Sequence, residues 1–356
     1  MENYLTVSQV SAKLGVSSTT VRRWDKAGKF KSSRHPINNY RVYDEGSVDA
    51  LKSVIIQEPT SEYIIKDSND FLPFITTVNG NLYQADAIEF LKSLKSNSVD
   101  LIFADPPYNI KKAEWDTFSS QKGYVEWSMK WITEAHRVLT EKGSLYICGF
   151  SEILADLKWA SSNLFAGCKW LIWFYRNKGN LGKDWGRSHE SILHLRKTKN
   201  FIFHQDEVRI PYNEHTTKYP TRKQGDSSHF ANGKKSNHEW EPHPLGAKPK
   251  DVIEIPTISN GSWEKTIHST QKPIELLRKI ILSSSNEDSI ILDPFGGSGT
   301  TYVVAEAYNR KWIGTELEQQ YCEVITDRLT DTKLLARIKS GQDSKESNKR
   351  RAKLRG

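Results

Sequence analysis

The chain has 356 residues, a formal net charge of +8 and 37% hydrophobic residues, which fits one large α/β domain and a small one in a globular protein. No apolar run approaches the ~20 residues that cross a bilayer, and the N-terminus lacks the apolar core of a secretory signal. The three cysteines are scattered, which excludes a disulfide framework or zinc site of the usual spacing. We therefore expect a cytoplasmic protein with no metal and no membrane contact.

Basic residues are concentrated at the two ends of the chain. Residues 1–53 have a charge balance of +4 and residues 339–356 one of +5, so the middle is close to neutral. Basic ends on a neutral body suggest a polyanionic partner held at several places. We interpret 338–356 as a basic disordered tail that either contacts nucleic acid or is only solvated.

Residues 1–55 predict a small separate domain. A first helix runs from Thr6 to Leu14, with Thr6 or Ser8 as its N-cap, and a second runs from Ser18 to Lys26 beyond a glycine turn. Two short helices around a tight turn are typical of a helix-turn-helix. Residues 31–43 then predict a β-hairpin wing, and residues 44–55 a closing helix.

This segment resembles the winged helix-turn-helix of MerR-type regulators, whose wing often ends in the pattern seen at Arg41 and Tyr43. The resemblance implies a DNA-binding unit; the alternative is a helix-turn-helix used for protein contacts. Its side chains facing DNA would be Thr19, Thr20, Arg22 and Arg23.

Residues 56–80 are interpreted as a linker and 81–337 as the catalytic body. Apolar strands alternate with helices there, which predicts a mostly parallel sheet covered on both faces. The predicted strands are Val99–Ala104, Ser144–Cys148, Trp170–Tyr175, Ser289–Leu292 and Trp312–Thr315. The predicted helices are Ala87–Leu94, Tyr124–Leu139, Lys272–Ser284, Thr300–Tyr308 and Gln319–Leu335. Residues 199–267 have little periodicity, which is typical of a functional insertion or a disordered segment.

The motif Asp105-Pro106-Pro107-Tyr108 directly follows the first of these strands. An exocyclic amino nitrogen of a base is a poor nucleophile, because its lone pair is delocalised into the ring. A carboxylate from Asp105 and a rigid carbonyl from Pro106 could accept its two N–H groups and localise the lone pair. Tyr108 offers a stacking face, and the base must leave the duplex to reach it. The motif therefore predicts amino methylation.

A second motif, DPFGGSGTT from Asp293 to Thr301, also lies between a strand and a helix. Its glycines permit a tight turn and close approach of a ligand, and the helix start suits a carboxylate. Such a loop could also bind a dinucleotide, although it lacks the lysine of a phosphate-binding loop. Glu316, 23 residues after Asp293, occupies the place of the acid that holds ribose hydroxyls; a helix N-cap is the alternative.

Together these motifs resemble the amino-methylating DNA methyltransferases. The Asp-Pro-Pro-Tyr motif precedes the glycine-rich loop, as in the permuted β class, and residues 109–118 and 206–212 look most like the MboII-type enzymes, which methylate adenine. The resemblance implies a Rossmann-like S-adenosylmethionine-dependent methyltransferase fold, S-adenosyl-L-methionine as cofactor, and duplex DNA as substrate. It also implies that 199–267 is a target-recognition insertion.

The same resemblance implies the roles of individual residues. Asp86 would lie near the cofactor adenine, and the motif from His268 to Pro273 would line its methionyl end. His189 and Glu190 would help to shape the base pocket. The cofactor contacts implied are Asp86, Asp105, His268, Gln271, Lys272, Pro273, Asp293, Phe295, Gly296, Gly297, Ser298, Gly299, Thr300 and Glu316.

Several alternatives stay open at this point. N4 of cytosine suits the same pocket, but cytosine enzymes of the family mostly have Ser in place of Asp105, which favours N6 of adenine. RNA or protein methylation, and a transcription regulator whose α/β body senses a cofactor, are further alternatives. Five histidines from His204 to His243 follow no zinc spacing, so we interpret them as surface or DNA-contacting residues. A cognate restriction endonuclease and a second copy of the chain are candidate partners.

Overall fold

The computed structural model describes residues 4–14, 21–22, 25–26, 30–35, 39–49, 64–65, 71–109, 116–176, 183, 185–220, 222–223 and 239–341. The predicted DNA contacts Thr19, Thr20 and Arg23 lie outside the described residues, as do 342–356 of the predicted tail.

The N-terminal unit begins with strand β1 (Tyr4–Thr6) and helix α1 (Val7–Leu14). Thr6 forms a capping box with Gln9: the backbone N–H and hydroxyl of Thr6 each donate to Gln9 Oε1 at 2.9 Å, and the Gln9 N–H donates to Thr6 Oγ1 at 3.4 Å. Thr6, rather than Ser8, is therefore the cap.

The predicted wing is present as an antiparallel pair, β2 (Ser33–Arg34) and β3 (Arg41–Asp44), with β1 on the other side of β3. Its small core consists of Val10, Val21, Phe30, Tyr43 and Val48. Phe30 stacks on Tyr43 of β3 with 4.8 Å between ring centroids, and Val10 of α1 belongs to the same cluster.

A nine-stranded sheet forms the centre of the catalytic body. Its strands are β4 (Ile75–Thr76), β5 (Gly80–Gln84), β6 (Val99–Ala104), β7 (Leu139–Gly149), β8 (Gly167–Phe174), β9 (His189–Arg196), β12 (Val252–Glu254), β13 (Ile290–Asp293) and β14 (Lys311–Glu316). A separate hairpin joins β10 (Arg222–Lys223) to β11 (Glu239–Trp240). The order is β12-β8-β9-β7-β6-β13-β14-β5-β4, and only β9 and β4 run against the others. The predicted, mostly parallel sheet is confirmed.

Helices cover both faces of this sheet. They are α2 (Ala87–Ser93), α3 (Gln121–Val138), α4 (Ser151–Ala160), α5 (Glu214–Lys218), α6 (Ile274–Ser284), α7 (Thr300–Ala307), α8 (Gln319–Thr330) and α9 (Thr332–Ser340). Successive residues of β6 alternate between two cores: Ile102 packs with α2, α3 and α4, and Phe103 with α6, α7 and α8. Among the described residues, no helix combines the length and apolarity needed to span a membrane.

The single helix predicted from Gln319 to Leu335 is wrong. Asp331 ends α8 and caps α9, because its Oδ1 accepts the backbone N–H groups of Lys333 and Leu334 at 2.9 and 3.0 Å. Helix α9 buries Ile338 and ends at Gly341, where φ is 59°. The packed body thus continues a few residues into the segment that we interpreted as a tail.

Parts of the predicted linker and insertion also belong to the sheet. β4 pairs with β5 although it lies within 56–80, and Ile64 and Ile65 of that segment are buried in the main core. At the other edge, β12 lies within 199–267 and pairs in parallel with β8. The insertion is therefore anchored at the sheet edge by its C-terminal part.

Candidate active site

The two motifs meet because their strands are neighbours. β6 ends at Ala104 and β13 at Asp293, and the two strands pair in parallel with Leu292 opposite Ile102. Their carboxyl ends lie at one edge of the sheet, which is where ligands bind in open α/β folds. Asp105 and the glycine-rich loop line one cavity of about 290 Å³, a volume near the lower end for small-molecule sites.

The Asp105 carboxylate is held at both oxygens. Oδ1 accepts the Tyr108 hydroxyl at 2.6 Å, and Oδ2 accepts the Lys272 ammonium at 2.5 Å. Glu190 Oε2 lies 3.2 Å from the Tyr108 hydroxyl and 3.6 Å from Lys272 Nζ. Tyr108 and Lys272 therefore connect two mostly buried carboxylates in a closed network.

Burial dominates the electrostatics of this network. Burial and the neighbouring charge of Glu190 raise the pKa of Asp105, against the opposing effect of Lys272. Burial alone would lower the pKa of Lys272, yet Asp105 and Glu190 raise it well above its ordinary value. Lys272 thus stays charged at every physiological pH.

An aromatic wall continues from Tyr108. Its ring packs edge-on against Phe150 with 5.0 Å between centroids, and the Arg187 guanidinium lies 3.8 Å above the Phe150 ring. Tyr124 donates its hydroxyl to the Pro107 carbonyl at 2.8 Å, which fixes the turn of the motif. Pro106 is buried and lines the cavity; the acceptor role of its carbonyl stays a prediction.

Asn109 closes the turn that follows the motif. It has a left-handed backbone (φ 56°), its N–H donates to Asp116 Oδ1 at 2.7 Å, and its Oδ1 accepts the Phe118 N–H at 2.9 Å. Asparagine tolerates this conformation better than most residues. Residues 110–115 of the MboII-like segment lie outside the described residues.

Glu316 connects the glycine-rich loop to the start of α8. Its Oε2 accepts the Gly297 N–H at 2.6 Å and its Oε1 accepts the Glu318 N–H at 2.9 Å. Glu318 is the N-cap residue of α8 and makes no side-chain cap bond of its own. Glu316 also lines the cavity, so the residue predicted to hold a ribose supports the helix start and forms part of the cavity wall.

Asp293 organises the loop from its other end. Its Oδ1 accepts the Phe295 N–H at 3.0 Å and its Oδ2 accepts the Thr301 hydroxyl at 2.5 Å. Burial raises the pKa of Asp293 to about 8. Gly299 is the N-cap of α7 with φ 71° and no side-chain cap bond, so the first-turn N–H groups of α7 suit an anionic ligand.

Phe295, Ser298 and Thr300 complete this side of the cavity. Phe295 packs edge-on against Trp131 with 5.4 Å between ring centroids. The hydroxyls of Ser298 and Thr300 lie 3.1 Å apart, and Arg328 donates to the Ser298 carbonyl at 2.5 Å. Gly296 also lines the cavity, and its N–H donates to the carbonyl of Thr315 in β14 at 2.8 Å.

The residues of the motif from His268 to Pro273 make different kinds of contact. His268 and Gln271 line the cavity, but the Gln271 side chain bonds within its own loop, to Thr266 and to the Glu264 carbonyl. Pro273 lies outside the described cavity lining and is the N-cap of α6. The ammonium of Lys272 contacts the Asp105 carboxylate.

His268 is fitted for a polar ligand. Its ring packs edge-on against Tyr321 with 4.6 Å between centroids, close to Gly297. Burial lowers the pKa of His268 to about 4, so the imidazole is neutral. Its buried Nδ1 has no hydrogen-bond partner within the described part of the chain, and a buried polar atom of this kind usually has one. The residues present therefore fit a polar cofactor.

Asp86 lies at the same sheet edge, two residues after the end of β5. Its Oδ1 accepts the N–H groups of Ile88 and Glu89 at 2.9 and 3.0 Å, which caps α2, and the residue also lines the cavity. Across the described ranges, no group of three or more His, Cys, Asp or Glu side chains is arranged to hold a metal ion.

Sequence reasoning missed Phe150 and Tyr321 as site residues. Phe150 follows β7, whose carboxyl end lies beside that of β6, and this position at a strand end was the available signal. Tyr321 lies in the first turn of α8, directly after Glu316 and its loop. Neither belongs to a motif with its own sequence signature.

The comparisons with known proteins decide the family. The family model described as DNA methylase, for N6 and N4 methylation, matches residues 99–327, more than half of the chain. The chain belongs to this DNA methylase family. A second, short match covers residues 6–43 and is described as the MerR family of regulatory proteins. The predicted enzyme class and the cofactor, S-adenosylmethionine, are confirmed by membership in the methylase family.

Named relatives extend this result. The chain is 32% identical over 252 residues to the type II methyltransferase M1.MboII of Moraxella bovis, covering 67% of this chain and 92% of that protein. It is 34% identical over 252 residues to the DNA adenine methyltransferase YhdJ of Escherichia coli (strain K12), covering 70% of this chain and 82% of that protein. The solved structure of the cytosine-N4-specific PvuII DNA methyltransferase matches with a TM-score of 0.55 at 19% identity, covering 76% and 94% of the two chains. That likeness confirms the predicted fold class.

Proposed function

We propose that this DNA methylase transfers a methyl group from S-adenosylmethionine to N6 of an adenine extruded from duplex DNA, as the modification enzyme of a restriction-modification system. The observation that carries the proposal is the Asp105 carboxylate, bonded to Lys272 at 2.5 Å, in the wall of a cavity shared with the glycine-rich loop and Glu316. An acceptor for an amino N–H and a cofactor site thereby lie in one pocket.

The cofactor supplies an electrophilic methyl group on a sulfonium when it is bound. Asp105 accepts one N–H of the target amine and the Pro106 carbonyl accepts the other, so the nitrogen lone pair is directed out of the ring plane. As the nitrogen–carbon bond forms and the sulfur–carbon bond breaks, the carboxylate stabilises positive charge on the nitrogen. It can then accept the proton that the methylated amine must lose.

Three features support the cofactor's placement. Glu316 faces the cavity with a carboxylate suited to ribose hydroxyls, and the first turn of α7 offers N–H groups to the methionyl carboxylate. The orphaned Nδ1 of His268 provides a further polar contact beside Gly297. Asp293 contributes indirectly, because its carboxyl group is committed to the loop.

The assignment to adenine is supported by Asp105 itself and by two relatives. An aspartate in this position is typical of the adenine enzymes of the family, whereas serine is typical of the cytosine enzymes. The relatives include a protein named as a DNA adenine methyltransferase and the type II enzyme M1.MboII. Tyr108 lines the cavity and would stack on the extruded base, with Phe150 packed against its ring.

We further propose a division of DNA contacts along the chain. The N-terminal unit, residues 1–55, would anchor the enzyme on duplex DNA through Arg22 and its neighbours, as its resemblance to MerR-type regulators implies. Residues 199–267 would recognise the target sequence, and the basic tail would contact phosphates. The partners are duplex DNA and a cognate restriction endonuclease.

The proposal is tested by mass spectrometry of nucleosides from duplex DNA incubated with the purified full-length chain and S-adenosylmethionine. N6-methyladenine is the expected product. N4-methylcytosine would overturn the base assignment, and the absence of any modified base would favour a regulator or an RNA enzyme. Asp105→Ala is the negative control. Glu126→Ala is the matched control, because it removes an exposed carboxylate that pairs only with the exposed Lys122 among the described ion pairs.

A further inference from the structure

Lys272 occupies a position that its sequence context did not indicate. The motif around it implied a contact with the methionyl end of the cofactor. In the structure its ammonium lies 2.5 Å from Asp105 Oδ2 and 3.6 Å from Glu190 Oε2, and its side chain is only 6% exposed. A buried cation is costly unless it is paired with opposite charge. The two carboxylates beside Lys272 provide this pairing.

The charged and titratable groups that face Asp105 come from several elements. Lys272 is the only described cation that bonds to its carboxylate. The others carry negative charge or are neutral, and they approach from the motif's own turn, from β7, β9 and β13, and from α3. They are Tyr108, Cys148, Glu190, Asp293 and Tyr124.

We propose that Lys272 is a positioning residue for methyl transfer: its ammonium keeps the Asp105 carboxylate ionised and oriented as an acceptor, and Glu190 weakens that hold by sharing the same ammonium. The inference rests on the proposed amino methylation through Asp105.

The physical argument is one of charge balance. Two carboxylates in a buried site repel each other, and without a counter-ion they share a proton. A protonated Asp105 still carries one acceptor oxygen, but it loses the negative charge that stabilises the methylated nitrogen. Lys272 supplies the missing charge at hydrogen-bond distance. Tyr108 completes the orientation, because its hydroxyl bonds to Asp105 Oδ1 at 2.6 Å.

The first test measures single-turnover methylation rates against pH, so that product release does not mask the chemical step. Removing the cation in Lys272→Met should move the acid limb of the profile to higher pH by about one unit or more, the usual effect of an opposite charge at this distance. Removing the competing anion in Glu190→Gln should move the limb to lower pH. Lys272→Arg should restore a profile close to that of the native chain.

Opposite shifts in the two variants support the proposal. A Lys272→Met variant that only raises the KM for S-adenosylmethionine, with an unmoved acid limb, would overturn it in favour of a cofactor contact. If Lys272→Met does not fold, the pH–rate profiles of Glu190→Gln and Lys272→Arg test the proposal. It is contradicted if the acid limb of Glu190→Gln stays where it is in the native chain, or if Lys272→Arg has no acid limb.

A second test needs no activity. The urea midpoints of the cofactor-free native chain, Lys272→Met, Asp105→Asn and the double variant form a double-mutant cycle. A coupled pair predicts that the double variant is less destabilised than the two single changes together. Additive changes would show that Lys272 does not act through Asp105. If the native chain methylates no DNA, the proposed function fails by itself, while the cycle still tests the pair.

Discussion

Glu316 holds the backbone of Gly297 in place: the carboxylate accepts the glycine N–H at 2.6 Å, 19 residues away along the chain. The contact joins the end of β14 to the loop that follows β13. These two strands are neighbours in the sheet. The residue predicted to hold the cofactor ribose therefore also shapes the glycine-rich loop, which we propose binds the rest of the cofactor. A substitution at Glu316 acts on both.

Glu316→Ala should weaken the affinity for S-adenosylmethionine by about 1–3 kcal/mol, the scale of losing hydrogen bonds to a charged group. Calorimetric titration of the cofactor measures this directly. Glu323→Ala, which removes an exposed carboxylate from α8, is the control and should bind normally. An unchanged affinity in Glu316→Ala would refute the role of Glu316.

Gly297→Ala should lower both cofactor affinity and stability. Gly297 has φ 53°, where alanine is disfavoured by about 1–2 kcal/mol, and a Cβ there would lie 3.1 Å from His268 Nε2. Gly261→Ala is the matched control, since no heavy atom lies within 4 Å of its Cβ position. Urea denaturation and cofactor titration of both variants would separate strain from a general effect of the added methyl group.

Asp105→Ala should reduce the methylation rate by a factor of about 100 or more, the scale of removing a group that stabilises transition-state charge. Cofactor binding should be largely retained, because the proposed cofactor contacts come from other parts of the sheet. Glu316 lies at the end of β14 and the first turn of α7 follows β13, whereas Asp105 follows β6. Lys272 keeps a carboxylate neighbour in Glu190 at 3.6 Å, so the site should still fold. Retention of more than a few per cent of activity would contradict the assigned role.

His194 should make stability depend on pH. Burial lowers its pKa to about 3, and its ring stacks on Tyr146 with 4.3 Å between centroids. The unfolded chain, with a pKa near 6.5, binds the proton more readily, so stability falls as the pH drops from about 6.5 toward about 3. At pH 5 the loss is about 2 kcal/mol.

The measurement is urea denaturation of the native chain and of His194→Gln at pH 7.5 and pH 5. The variant should lose less stability than the native chain between the two values. His215→Gln, at an exposed histidine, should behave like the native chain. Equal losses in all three proteins would exclude His194 as the source.

If Arg22 contacts a phosphate, Arg22→Ala should weaken DNA binding to the same extent for all sequences. The slope of the logarithm of the binding constant against the logarithm of salt concentration should become shallower by about one. Arg22 is exposed on the N-terminal unit. Lys92→Ala removes one cation from the catalytic body, where it pairs with Glu89 at 2.8 Å, and should leave the salt slope unchanged. If the two variants have identical salt slopes, Arg22 does not contact a DNA phosphate.

The fold was predictable where apolar runs were continuous. β6, with the sequence VDLIFA, was predicted to the residue because a buried parallel strand needs such a run. β5 was not predicted as a strand, because the buried Asn81 interrupts its pattern; its Oδ1 accepts the Thr76 hydroxyl at 2.7 Å. α4 was missed since Phe150 at its N-cap gives no capping signal.

The site was predictable as two halves but not as one network. Motif spacing indicated an amino acceptor at Asp105 and a cofactor loop at 293–301, and both line the cavity. The bond between Lys272 and Asp105 joins residues 167 positions apart, and pattern analysis of one chain carries no information on such pairs. Phe150 lies beside Tyr108 only because β7 pairs with β6.

The position of β6 between β7 and β13 has a consequence for synthesis on the ribosome. β6 can pair with β7 once the first half of the chain has emerged, but its other edge stays open until residues 290–293 are made, almost 190 positions later. An open, apolar strand edge attracts other chains. The nascent protein therefore carries its Asp-Pro-Pro-Tyr motif beside an unprotected strand edge for about half of translation. Synthesis of β13, in the second half of the chain, covers this edge and ends the exposure.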